Sequence, residues 1–401
     1  MSQVIDLFRK YIGIPSASKD GSFSKPSTPE QLTMALALEK DMRSLGISDV
    51  FNQGDGYVYG RVPANAEGQP KIGLIAHLDV VDNEPCAPMN ERVIRYEGGV
   101  VDVGNGITLD PALYPYLENW KGKELIVTDG TTILGADDKA GVAEIMALSS
   151  RLIGDDTIKH GDVMICFTPD EEIGGSAADM DLKRFGADWA YTVDGGALGG
   201  VEYENFNAAS ARVRFTGVSI HPGSAKGRMK NASLMAAEFI SLLPAAETPA
   251  HTEGREGFYH LVEMSGTPEQ ASLAYILRDH DAEKLGAKKA FLHTCAGFIR
   301  QKYGPECCEV SIKDGYRNMI EVMKDNMQVV ARALAAFEKC GVKPFSAPVR
   351  GGTDGASLSF RGLPCPNLST GSINHHGRGE IACVQDMEKM VDVLTELVRA
   401  R

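Results

Sequence analysis

No apolar stretch in this 401-residue chain is long enough to cross a bilayer, so a membrane-spanning helix is not expected. Positive charge is in deficit: 41 Lys and Arg stand against 54 Asp and Glu, a net charge of −13. Nucleic acid requires a basic face and anionic lipid attracts one, so neither is an expected partner. Low-complexity segments and short repeats are absent, which leaves a folded globular chain. The eight cysteines are scattered without a CxxC pair; only Cys307 and Cys308 adjoin, and Cys166 sits in an apolar run. That pattern excludes a disulfide framework and a zinc knuckle, and points to reduced thiols in a cytoplasmic protein. The run from Val4 to Ile12 has helical apolar spacing but carries Asp6, Arg9 and Lys10. It lacks the unbroken apolar core of a signal peptide and reads as a surface helix of the mature protein. Glycine-rich turns such as 195–200 occur, yet no P-loop and no full GxGxxG opens a helix, which sets a nucleotide-binding enzyme aside.

What is present fits a soluble protein of two domains. Hydrophobic residues make up 43% and charged residues 24%, and the length exceeds one ordinary core. From about 35 to 205 helical and strand patterns alternate, with strands expected at 57–62, 72–76, 163–167 and 189–193 and helices at 31–45 and 138–152. The fold class is therefore α/β, a sheet covered by helices. Residues 206–316 read differently, as βαββαβ, the order of a ferredoxin-like unit. This predicts a discontinuous catalytic domain, 1–205 and 317–401, interrupted by an inserted domain at 206–316. A long helix is expected from Asn318 to Lys339, and Ser16–Pro29, rich in Ser, Pro and Gly, reads as an irregular loop.

Ionisable residues recur just past the predicted strands. His77 and Asp79 end one, Glu171 and Glu172 follow another, Asp194 a third, and His375-His376 come after a fourth; Asp137 stands at a helix entrance. Open α/β sheets bind ligands at the carboxyl ends of their strands. Each residue alone has a plain alternative: a core histidine, a strand-end turn, a helix cap at Asp137 or Asp138, an acidic turn at 171–172. Together, two imidazoles and several carboxylates suit zinc, with manganese or cobalt as alternatives. They exceed the needs of one catalytic ion and suit two sharing a carboxylate.

The blocks 76–79, 134–141, 168–174, 194–196, 219–223 and 350–355 resemble, in order, those of the M20 metallopeptidase family, and within it the tripeptide aminopeptidases. The resemblance covers most of the chain. It implies a zinc-peptidase-like domain with two Zn2+ ions, one on His77 and Asp194, the other on Glu172 and His376, with Asp137 bridging. It also implies Glu171 as general base, Asp79 holding the His77 ring, and a hydroxide bridged by the two ions as nucleophile. His221 of the inserted lid and dimerisation domain would touch the substrate and its oxyanion. Arg350, Asn231 and Arg278 are candidates for the peptide's carboxylate or backbone, since arginine grips a carboxylate bidentately. Small peptides, tripeptides above all, are the expected substrates, and a homodimer through the inserted domain is an expected assembly. The same machinery serves dipeptidases, carboxypeptidases and N-acyl amino acid deacylases, and a non-catalytic peptide-binding protein would show an incomplete ligand set. Val80 stands where related peptidases usually have Thr, which bears on substrate preference, and His375 beside His376 leaves two histidines for one ligand position.

Overall fold

The structure, a computed structural model, describes residues 2–401. The chain divides into two compact units. The first takes everything up to Tyr203 together with Glu321–Ala347 and Thr353–Arg401; the second takes Glu204–Ile320 and Pro348–Gly352.

Helix α1 (Gln3–Ile12) buries Val4, Ile5, Phe8, Tyr11 and Ile12, the apolar stripe of an amphipathic helix. Helix α2 (Pro29–Leu45) opens on proline, whose missing N–H matters least in a first turn, and closes on Gly46 at a left-handed φ of 83°. Strands β1 (Ser48–Asn52), β2 (Val58–Val62) and β3 (Ile72–His77) follow, β3 buried along its whole length. Helix α3 (Ala136–Gly154) then leads to β4 (Val163–Thr168), β5 (Trp189–Gly195) and the short β6 (Val201–Glu202).

In the second unit β7 (Asn207–Thr216), α4 (Ala232–Leu242), β8 (Phe258–Gly266), β9 (Gln270–Asp279), α5 (Ala282–Tyr303) and β10 (Cys308–Asp314) succeed one another. This is the expected βαββαβ order. The strands lie β8-β9-β7-β10, all antiparallel. From Ser210 onward β7 alternates: Ala211, Val213 and Phe215 are buried, while Arg212, Arg214 and Thr216 are exposed. The buried side packs with Met235 and Phe239 of α4 and Leu292 and Ile299 of α5.

Back in the first unit, the single helix expected from Asn318 to Lys339 is in fact two, Ile320–Met323 and α6 (Met327–Lys339). Asp325 and Asn326 break it. Their N–H groups turn back to Val322 O and Met323 O, and the Asn326 amide donates to Val322 O as well, so local bonding replaces the helical ladder. Helix α7 (Asp354–Phe360), β11 (Asn367–Ser369) and α8 (Val384–Val398) complete the unit. Its main sheet runs β1-β2-β4-β3-β5-β11-β6 and is mixed, with β4, β3, β5 and β11 parallel. A second four-stranded sheet joins Arg92–Arg95, Glu124–Val127, Ile381–Cys383 and Ser372–Ile373. Its strands are only two to four residues long, too short for alternation to reveal.

Helix α3 packs against β5 at Gly141, where a Cβ would collide with the carbonyl oxygen of Val193. The same helix carries Glu144, whose two carboxyl oxygens are buried without a hydrogen-bond partner. Burial pushes its pKa well above the usual glutamate value. An unfolded chain ionises this carboxyl at the ordinary value of 4.5 while the folded chain keeps its proton, so stability falls as pH rises above that point. Glu144→Met keeps the length and the helix preference without the polar group. The variant should gain about 1–3 kcal/mol near neutral pH and above, and less at about pH 5, read as the shift in thermal midpoint. A variant no more stable than the parent at about pH 8 would contradict this account.

Candidate metal centre

Because β4, β3 and β5 are parallel neighbours, their carboxyl ends open along one edge of the sheet. His77 is the last residue of β3, and Asp194 the penultimate residue of β5. Beyond β4 the chain turns through Asp170, at a φ of 59°, into Glu171 and Glu172. Asp137 stands at the entrance of α3, where Asp137 and Asp138 leave helical geometry and the peptide between them is cis. His375 and His376 arrive after β11 by way of Ser372–Ile373.

These residues form two triads that share Asp137. His77 Nε2 lies 2.9 Å from Asp137 Oδ1 and 3.3 Å from Asp194 Oδ1. His376 Nε2 lies 3.0 Å from Asp137 Oδ2 and 3.1 Å from Glu172 Oε2. One carboxylate therefore faces a different imidazole with each oxygen. His375 directs Nε2 to Ser372 Oγ at 2.8 Å and keeps Nδ1 3.4 Å from Asp137 Oδ2. Glu171 belongs to neither triad.

Asp79 reaches three members of this group. Its fully buried carboxylate accepts from the N–H of Glu171 at 3.1 Å and of Glu172 at 3.2 Å. The Nδ1 of His77 is 3.1 Å from the Asp79 carbonyl oxygen and 3.4 Å from its Oδ1. Three further acids brace the centre, none of them expected in that role from the sequence, where Asp138 figured only as a possible helix cap. Asp138 accepts from the N–H of His77 and of Gly141. Glu380 accepts from Gly135 N at 2.6 Å and Asp137 N at 2.9 Å. Asp354 accepts from the hydroxyls of Ser176 and Thr168, and burial pushes its pKa up to about 6. Asp138 and Asp354 do lie inside recognisable blocks; Glu380 carries no local signal, since its partners are backbone groups some 240 residues earlier.

The electrostatics are those of crowded acids. Burial raises the pKa of Asp194, Glu171 and Glu172. Burial also opposes ionisation of Asp137, but His375, His376 and His77 overcome it and hold that carboxyl well below the usual range. His77 is pulled down by burial and carried well above its ordinary value by Asp194, Asp137 and Asp79. His376 is raised by its hydrogen bonds to Asp137 and Glu172. Glu172 Oε1 is buried and has no hydrogen-bond partner. An orphaned carboxylate oxygen beside two mixed nitrogen and oxygen triads is what a pair of divalent cations would satisfy, so the donor set fits metal.

The four residues considered for substrate contact fall in the second unit. His221 is exposed and accepts from Gly223 N at 3.2 Å. Asn231 caps α4, accepting from Leu234 N. Arg278 donates to Leu277 O and Ala209 O and lies 5.1 Å from the Tyr316 ring centre. Arg350 donates to Gly254 O, Glu256 O and Thr252 Oγ1 and stacks 5.0 Å from the Phe206 ring centre.

A mixed sheet bearing paired triads at its parallel strand ends, in a chain that also builds a ferredoxin-like unit, defines a peptidase of the M20 class. Residues 203–306 match the family model described as the M20 peptidase dimerisation domain. Peptidase T of Clostridium perfringens is 45% identical over 401 residues, covering 100% of this chain and 99% of that protein. The chain belongs to the peptidase T family and is a hydrolase. In fold it is similar to a tripeptidase from Staphylococcus aureus, with a TM-score of 0.78, 21% identity and coverage of 99% and 97% of the two chains. It is also similar to a dinuclear metal-binding M20 peptidase from Bacillus subtilis, with a TM-score of 0.66, 14% identity and coverage of 98% and 96%. Among the described residues no helix is long and apolar enough to cross a membrane.

Removing an acid that only orients a ligand loop should weaken metal binding without deleting a ligand. Glu380→Ala leaves the N–H groups of Gly135 and Asp137 unpaired. It should lower metal affinity by about 10–100-fold, measured by calorimetric titration of metal into the stripped protein.

Proposed function

We propose that this chain is a tripeptide aminopeptidase that releases the N-terminal residue of a free tripeptide, using two divalent ions. Zinc is the first choice and manganese or cobalt the alternatives. The observation that carries the reading is the pair of triads sharing Asp137, with Glu171 beside them and in neither. Membership of the peptidase T family supports it. So do the tripeptidase and dinuclear metal-binding descriptions of the two structural neighbours.

In this reading His77 and Asp194 would hold one ion, Glu172 and His376 the other, and Asp137 both. Ions bound there supply Lewis acidity and lower the pKa of water toward neutrality. The Glu171 carboxylate takes a proton from the attacking water and passes it to the leaving amine. Asp79 keeps that base in place through the N–H of Glu171, and keeps Glu172 in place through the adjacent N–H. His221 is assigned to the substrate and its oxyanion, and Asn231, Arg278 and Arg350 to the substrate's carboxylate or backbone. For the two arginines this means exchanging backbone carbonyls for a substrate group. A homodimer through the region matching the dimerisation domain is the proposed assembly. The eight free cysteines suit a reducing, cytoplasmic setting.

Glu171→Gln should keep its metal and lose about 10²-fold or more in turnover; a fully metallated variant with parental turnover would remove Glu171 from the role of base. An unblocked tripeptide should be cleaved and its N-blocked form left intact, with activity lost on chelation and regained on adding zinc. Unchanged hydrolysis by the stripped protein, or cleavage of the N-blocked peptide, would overturn the reading.

A further inference from the structure

The irregular segment between α1 and α2 runs along the candidate centre. Ile14 O accepts from the Lys139 ammonium at 2.6 Å, and Ser16 Oγ donates to Leu78 O at 2.6 Å. Ser18 N donates to Val80 O and Val80 N to Ser16 O, so the segment flanks Asp79 on both sides. Its far end meets Asp170. The Gln31 side chain donates through Nε2 to Asp170 Oδ1 at 2.7 Å and accepts through Oε1 from Asp170 N at 3.0 Å. The N–H and hydroxyl of Ser27 donate to the same carboxylate. Gln31 is fully buried, and Ser27 and Asp170 are only 6% and 7% exposed.

Three successive N–H groups therefore end on side-chain oxygens: Asp170 on Gln31, Glu171 and Glu172 on Asp79. Asp170 adopts a φ of 59°, a left-handed conformation uncommon for residues with a Cβ, though aspartate enters it more readily than most. A primary amide suits this partner because one planar group offers both the acceptor for the Asp170 N–H and the donor for its carboxylate.

We propose that Gln31, with Ser27, is a positioning residue for the hydrolytic reaction, acting through Asp170 to set where Glu171 stands. The proposal rests on the reading of Glu171 as the base. A residue that served stability alone would not alter turnover per folded molecule. A displaced base lowers kcat with little effect on substrate or metal binding, because a shift of about 1 Å can cost roughly 10²-fold.

The test compares Gln31→Glu with the double variant Gln31→Glu/Asp170→Asn. The single change sets two carboxylates against each other. The double change exchanges donor for acceptor and restores the paired bonds between positions 31 and 170, giving up the Gln31 donations to Ser27 Oγ and Thr28 Oγ1. The carboxylate introduced at position 31 accepts from the backbone N–H of position 170 and from the amide introduced there, whose oxygen still accepts from the Ser27 N–H. In Gln31→Glu, kcat should fall about 10–100-fold, with KM within about threefold and metal content unchanged. The double variant should recover to within about threefold of the parent. If the single variant does not fold, Ser27→Ala, which removes a hydroxyl that donates to Asp170 and accepts from Gln31 and Lys19 N but keeps the Gln31 bonds to Asp170, should lower kcat by about threefold or more with parental metal content. Gln31→Glu with parental kcat per folded molecule overturns the proposal, as does a lost kcat that the well-folded double variant fails to recover. Glu171→Gln, assayed alongside, separates the two layers. If it stays active, the base reading fails; if it is inactive while Gln31→Glu is fully active, only the positioning role fails.

Discussion

Acids crowded at the ends of three parallel strands must be kept together against their own repulsion, and most of the first unit's local structure serves that constraint. They divide by what they face. Asp79, Asp138 and Glu380 accept backbone N–H groups, Asp354 accepts hydroxyls, and Asp170 accepts from Ser27 and Gln31. Their charge is spent within the protein. Asp137, Asp194 and Glu172 face imidazoles, Glu172 keeps an oxygen with no partner, and Glu171 joins no triad. The first set builds the walls; the second remains available to a cation or a proton.

This division shows which part of the centre was legible in the sequence. Strand ends were, because buried parallel strands read as unbroken apolar runs and the ionisable residues just after each run gather at the open edge. His77, Glu171, Glu172 and Asp194 all announce themselves that way. Glu380 and Gln31 did not. Glu380 finds its N–H partners only after β11 and the short sheet have formed, and the Gln31 amide finds Asp170 139 residues along the chain. Nothing local distinguishes either from a surface side chain. The break at Asp325–Asn326 was missed for a related reason: helical spacing of apolar residues continues through it, and only the turn chemistry of two short polar side chains gives it away.

The second unit was easier to read because one face of its sheet is covered by helices, so β7 alternates from Ser210 onward. Helix α5 starts after Asp281, whose side chain accepts from Glu283 N and Lys284 N, a local signal that needs no tertiary partner. Arginine partners are another matter. Arg350 and Arg278 suggested carboxylate recognition from residue type alone, yet both guanidinium groups donate to loop or strand carbonyls. Five donors on a long stem can be used up by backbone that sequence does not place nearby.

The positions in the two triads, 77, 137, 172, 194 and 376, are unevenly spread along the chain. During synthesis the first four emerge early. His376 follows only after the whole βαββαβ unit has been made, so a growing chain that has already completed the second unit still holds one triad and two members of the other. Cations bound across the finished set would tie the start of the sheet to a segment some 300 residues later, closing a loop whose entropy the folded chain must otherwise bear alone. The proposed centre is thus completed late in synthesis, and its occupancy would report that the interrupted first unit has been rejoined.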